Sequence, residues 1–147
     1  MSMYGRYETD PKLETNGVPL EFGDFVVTVS RAGGSNEKWL SEFRKRMRPF
    51  RRAGGLADIE GNPAVQRIMR ETFARICVLN WQRRLPSEEP GGEDKLVQGI
   101  EGPDGETLEF TVANVIRTFE RLPKLYDDII GQASDHSTFI EQAERGN

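Results

Sequence analysis

The side chains in this chain that could do chemistry are few, and their spacing decides what kind of chemistry is open to them. There is one histidine, His136, set between Asp135 and Ser137, and one cysteine, Cys77. A serine nucleophile needs a base and an orienting carboxylate that converge through the fold, and neighbours in sequence do not supply that geometry. His136 therefore reads as a polar surface residue. One histidine with one cysteine cannot form a zinc site of ordinary ligand type. A lone cysteine also excludes an intramolecular disulfide framework and suits a reducing compartment. Cys77 falls on the apolar stripe of a helical pattern, where a buried thiol far from any base is inert. Carboxylates recur as neighbours, Glu88-Glu89 and Asp127-Asp128, which point in different directions and do not converge for acid–base work. The expectation is a protein that is not an enzyme and needs neither metal nor cofactor.

Two further patterns concern binding. Arg31-Ala32-Gly33-Gly34-Ser35-Asn36 places a Gly-Gly pair before a helix, where free backbone N–H groups can attract an anion. The phosphate-loop spacing with its Lys-Ser/Thr is missing, so the segment reads as a turn ending on an N-cap at Ser35 or Asn36. Between Arg31 and Arg52 there are eight basic residues against two acidic, a balance of +6. Arg44, Lys45, Arg46, Arg48, Arg51 and Arg52 interleave with aromatics, the composition of a nucleic-acid surface. The chain as a whole carries a net charge of −4, so nucleic acid is disfavoured and a solvated helix face is preferred. Pro86 to Phe110 has the opposite balance, −7. Neutralisation within the chain, or head-to-tail association between copies, would each use this asymmetry.

The elements that must position these residues follow from periodicity. A chain of 147 residues, 36% hydrophobic and 30% charged, suits one domain with one modest core. Its N-terminus has no signal-peptide pattern, and no apolar run approaches the ~20 residues of a membrane span, so a soluble cytoplasmic protein is expected. Residues 1–17 read as a flexible arm, 18–135 as one domain with an acidic Pro/Gly joint at 86–94, and 136–147 as a polar tail. Val18 to Glu21 and Phe25 to Ser30, joined through Gly23-Asp24, form a hairpin whose first strand Pro19 confines to an edge. Val26, Thr28 and Ser30 share its less buried side. Glu37 to Arg48 forms a helix with Trp39, Leu40, Phe43 and Met47 on its apolar stripe, ended by Pro49. Gly54-Gly55 to Gly61 is a loop. Asn62-Pro63 opens the longest helix, whose pattern runs through Phe73 and Trp81 to Leu85-Pro86.

The last third is the most patterned. Leu96 to Ile100 and Thr107 to Phe110 flank Pro103-Asp104-Gly105, a strong hairpin turn. Thr111 caps a helix with Val112, Val115, Ile116, Phe119 and Leu122 on one face, and Pro123 breaks it before a second helix. The predicted class is α+β: two small β-hairpins with about four α-helices in a single domain.

Gly99-Ile100, Pro103-Asp104-Gly105, Leu108, Phe110-Thr111, Asn114, Leu122-Pro123, Leu125-Tyr126-Asp127-Asp128-Ile129 and Ala133-Ser134-Asp135 together resemble the tail assembly chaperones of long-tailed (siphovirus-type) bacteriophages. The likeness extends more loosely to Arg31–Asn36. It implies a protein of the host cell cytoplasm that binds the tape-measure protein and recruits tail tube subunits, and that is absent from the mature virion. In that family a longer frameshifted product is common. Self-association is open, and no membrane partner is expected. Such a role needs exposed apolar surface, for which Trp39, Phe43, Phe50, Phe119, Leu125, Tyr126 and Phe139 are the candidate contacts. The competing expectations are a structural virion component (minor tail or head–tail connector) and a nucleic-acid-binding module using the basic helix.

Overall fold

The computed structural model describes residues 2–52 and 61–140, the side chains of 51 and 52 excepted. The chain is an α+β domain, with helices gathered on one face of an antiparallel sheet. Two short helices, α1 (Met3–Tyr7) and α2 (Pro11–Asn16), precede strands β1 (Val18–Glu21) and β2 (Phe25–Val29). Helices α3 (Glu37–Arg52) and α4 (Pro63–Ile76) follow, then β3 (Val78–Leu85), β4 (Lys95–Gln98), β5 (Ile100–Glu101) and β6 (Thr107–Leu108). Helices α5 (Val112–Arg121) and α6 (Pro123–Ser134) lead to a 3-10 turn at His136–Phe139. The main sheet has the order β1-β2-β3-β4, and β5-β6 is a separate two-stranded ribbon.

Register explains which residues are buried. Val18 pairs with Val29, Leu20 with Val27 and Val27 with Trp81, so these side chains share the face under the helices. All are buried, and Phe73 of α4 sits over them with no exposure. Its ring lies 6.2 Å from Trp39 and 6.1 Å from both Phe119 and Tyr126. Fully burying one such side chain contributes roughly 2–3 kcal/mol, so this aromatic group fastens α3, α5 and α6 to α4. Val26 faces away from the helices yet is only 1% exposed, which departs from the wetter side expected for it. It pairs with Glu21 and Gln82, and the Glu21–Arg84 ion pair shares its face.

Several expectations need correction. The helix predicted from Asn62 to Leu85 stops at Ile76, and 78–85 is the strand bonded on both sides by β2 and β4. Val78 and Trp81 suit either period. Two flanking strands offer that backbone a full ladder, and Ser30 N–H already donates to Cys77 C=O at 2.8 Å. Pro49 does not end α3, which continues to Arg52. Pro49 and Lys45, whose carbonyl loses its donor, are both exposed, so water meets that carbonyl. The predicted hairpin at 96–110 divides: only Ile100-Glu101 pairs with Thr107-Leu108, while Lys95–Gln98 joins β3. The segment expected as an arm carries α1 and α2, and Glu14 within it is 1% exposed. The polar tail begins with a 3-10 turn that buries Phe139. The loop predicted at 54–61 lies outside the described residues up to position 60.

Candidate functional site

At the end of the sheet where β2 begins and β3 finishes, a groove of about 570 Å³ opens between the sheet, the β5-β6 ribbon and the α5–α6 junction. Each wall has a local cause. The ribbon turns through Pro103-Asp104-Gly105, closed by Gly105 N–H on Gly102 C=O at 3.1 Å and Gly102 N–H on Glu106 C=O at 2.7 Å. Gly105 holds φ +81°, so this is the three-residue loop in which the last residue must be left-handed. Trp81 ties the ribbon to the sheet by donating its indole N–H to Leu108 C=O at 3.1 Å. Gly99 lets the chain cross from β4 to β5: its φ is +89°, and a Cβ there would lie 2.6 Å from Thr107 and 2.9 Å from the Leu108 carbonyl oxygen.

The helical wall comes from the Leu122-Pro123 break. Thr111 caps α5 by accepting from Asn114 N–H, and Pro123 starts α6 at its first position. Leu122 between them has φ −121° and ψ 70° and stands 49% exposed at the groove lip. Leu85 at the end of β3 also lines the opening, 43% exposed. Ile100, Leu108 and Leu125 are half-buried along the lining. The rim is polar and of both signs. Arg83 donates to Thr107 Oγ1 at 2.5 Å, Arg84 pairs with Glu21 at 2.5 Å, and Asp24, Glu101 and Arg121 complete it. An apolar trough with a mixed polar rim suits apolar side chains that carry polar tips.

The other end of the sheet is closed around Glu14. Its carboxylate accepts from Arg31 Nη1 at 2.6 Å, Thr9 Oγ1 at 2.8 Å and Ser35 N–H at 3.3 Å. Burial alone would raise its pKa, but the hydrogen bonds from Arg31, Thr9 and Ser35 outweigh it and hold the carboxyl below its ordinary value. Gly34, at φ +54°, packs so closely that a Cβ would meet Glu14 Oε2 at 1.8 Å. The Gly-Gly turn considered as an anion cradle thus has an anion, supplied by the chain itself. Asn36 does not cap α3 with its side chain. Its amide donates to Ser30 Oγ at 3.0 Å and Arg31 C=O at 2.8 Å.

Of the seven predicted contact residues, Trp39, Phe119, Tyr126 and Phe139 are core residues, each at most 7% exposed. A partner reaches them only if the fold opens, because the aromatic packing that makes them conspicuous in sequence is what buries them. Phe43 stacks half-buried on Trp39 at 5.2 Å, and Phe50 is half-buried on α3. Leu125 alone lines the groove. Leu85 and Leu122 join it on the groove without standing out as contacts in the sequence; the Leu-Pro break is the signal for Leu122, whereas the helical period carries Leu85 to a helix end. On α3, Arg44, Lys45 and Arg48 are exposed, and Arg46 pairs with Glu42 at 2.9 Å. Arg51 and Arg52 belong to α3, but their side chains lie outside the described residues. Among the described residues no ion pair joins α3 to 86–110; the salt bridges fall elsewhere.

Cys77 is fully buried, and burial pushes its thiol up to about 12. Ser137 donates its hydroxyl to Asp135 at 2.9 Å rather than to His136, whose ring stacks on Tyr7 at 5.8 Å. Among the described residues no three His, Cys, Asp or Glu side chains cluster to hold a metal, and no helix is long and apolar enough to cross a membrane. No protein-family model, curated protein or solved structure matches this chain.

Proposed function

We propose that this chain is a tail assembly chaperone of the long-tailed bacteriophage kind: a non-enzymatic, cytoplasmic protein that holds apolar segments of the tape-measure protein and brings tail tube subunits to it. One observation carries the reading. The segment that resembles those chaperones supplies the ribbon and the α5–α6 junction, and these form two walls of an apolar groove with Leu122 exposed at its lip. Its residues make surface as well as core, which is what a protein that acts by binding polypeptide requires. The role needs no catalytic side chain, cofactor or metal, and the protein leaves before the virion matures.

The test is co-expression with the tape-measure protein of a long-tailed phage. Wild type should co-purify with that protein, and Leu122→Glu, which puts a charge on the groove lip, should lose it at least tenfold. Equal capture by both variants overturns the role given to the groove. Mass spectrometry of purified particles decides against the structural virion alternative when the chain is absent and for it when the chain is stoichiometric. Among the described residues, a nucleic-acid role is favoured by Arg44, Lys45 and Arg48, exposed on α3. Salt-sensitive retardation of DNA or RNA, lost on replacing these three, is its signature.

A further inference from the structure

A β-sheet ends in strands whose outer N–H and C=O groups have no ladder partner, and a chain either blocks such an edge or leaves it open to another polypeptide. The four-stranded sheet does one of each. Phe22 N–H donates to Phe25 C=O, and Val18 and Leu20 pair with Val29 and Val27, so the alternating backbone of β1 turns Pro19 and Glu21 outward. Pro19 has no N–H, and that edge is blocked. At the far edge, Arg84 N–H donates to Asp24 C=O at 2.6 Å, towards β2. Arg83 and Leu85 are then the residues that bond β4, through Val97 and Lys95. Leu96 and Gln98 therefore turn their N–H and C=O groups away from the sheet. Both residues are exposed, and among the described residues nothing bonds to those groups.

The surroundings of that open edge are acidic. Glu88, Glu89, Glu93 and Asp94 precede β4 and Glu101 follows it, all exposed, and among the described residues no ion pair engages any of them. Lys95 is the single base between Pro86 and Phe110. Leu96 pairs with Arg84 across the ladder and stands 43% exposed on the sheet face turned from the helices, a foothold for an apolar side chain on a neighbouring strand. We infer that the β4 edge takes up an extended, basic segment of another protein by strand addition. The incoming backbone bonds Leu96 and Gln98, an apolar side chain sits against Leu96, and lysines or arginines answer the acidic flanks. None of Lys95–Gln98 lines the groove, so this surface is separate from the one assigned to the tape-measure protein.

The probe is a fluorescein-labelled heptapeptide alternating lysine with valine, titrated into the full chain. It should bind with a Kd below about 1 mM, slow hydrogen exchange at the Leu96 and Gln98 amides, and weaken as salt is raised. Two changes that leave every charge in place separate strand pairing from simple attraction. With a valine opposite Leu96, the valine N–H groups face β4, so N-methylation of the valines should weaken binding about fivefold or more, the loss of roughly one hydrogen bond. Gln98→Pro, checked for native circular dichroism, removes an outward N–H without touching the β3 ladder and should weaken it similarly. Equal affinity for methylated and unmethylated peptides reduces the contact to charge and overturns the inference. So does unchanged exchange at Leu96 and Gln98, or protection of both in the free chain at millimolar concentration, where a second copy fills the edge. Leu122→Glu should bind this peptide as wild type does, and failure at the edge leaves the groove reading untouched.

Discussion

The two ends of the central sheet solve opposite problems. At the Arg31 end a charged group is taken inside and fully answered: Glu14 meets a guanidinium, a hydroxyl and a backbone N–H, with Gly34 leaving room for it. At the Phe25 end nothing charged is buried, and leucines that a closed core would cover stand at the surface. One end spends its polar groups on holding α2, β2 and α6 together, while the other keeps apolar area free. The difference teaches where each end is fragile: the first should fail in stability, the second in association.

The largest effect is expected from Glu14→Ala. It strands Arg31, a largely buried cation, and breaking a buried pair costs about 3 kcal/mol, read as a fall in the urea midpoint. The same carboxylate makes this end acid-sensitive. Its folded pKa lies below the ordinary 4.5, so folding favours the ionised form. That contribution is complete above pH 4.5 and is lost as pH falls through the lowered folded value. Part of the acid-induced drop in stability should therefore vanish in Glu14→Gln, and a variant with an unchanged pH profile would deny the latch its role.

Next in size is Gly99→Ala, which needs a left-handed backbone and pushes a Cβ onto Leu108. A loss of about 2 kcal/mol is expected, together with loosening of the ribbon, seen as faster hydrogen exchange at Gly102 and Leu108. Thr72→Val should work the other way. Its hydroxyl is buried with no partner in the described structure, so removing it should raise stability by about 1 kcal/mol. The smallest stability change belongs to Leu122→Glu, within about 0.5 kcal/mol because the side chain is half exposed. A large destabilisation there would mean the groove end is core after all and would erase the contrast between the two ends.

Much of the local structure was legible. Thr111 and Asn62 cap helices by accepting from Asn114 and Ala64, Pro123 starts α6, and Val18–Val29 forms the hairpin with Pro19 on an edge strand. Each is a short-range contest between a few backbone groups, settled by a hydroxyl, an amide or a missing N–H. The site was far less legible. Trp39, Phe119, Tyr126 and Phe139 looked like contact residues because they are large and aromatic, and those same properties drew them into the core. Of the seven contact residues the sequence offers, Leu125 alone lies on the groove.

By itself the amino-acid order determined that α4, α5 and α6 start at Asn62-Pro63, Thr111 and Pro123, which turn takes Gly105, and that Cys77 sits on a packing stripe. The fold decided that Val78–Leu85 is a strand, that Glu14 is buried, and that Leu85 and Leu122 come to face one opening. The physical reason is range. Caps and turns involve groups a few residues apart, whereas a strand needs partners from β2 and β4, and a buried carboxylate needs an arginine 17 positions away. Whether an apolar side chain becomes core or surface depends on what the rest of the chain leaves uncovered.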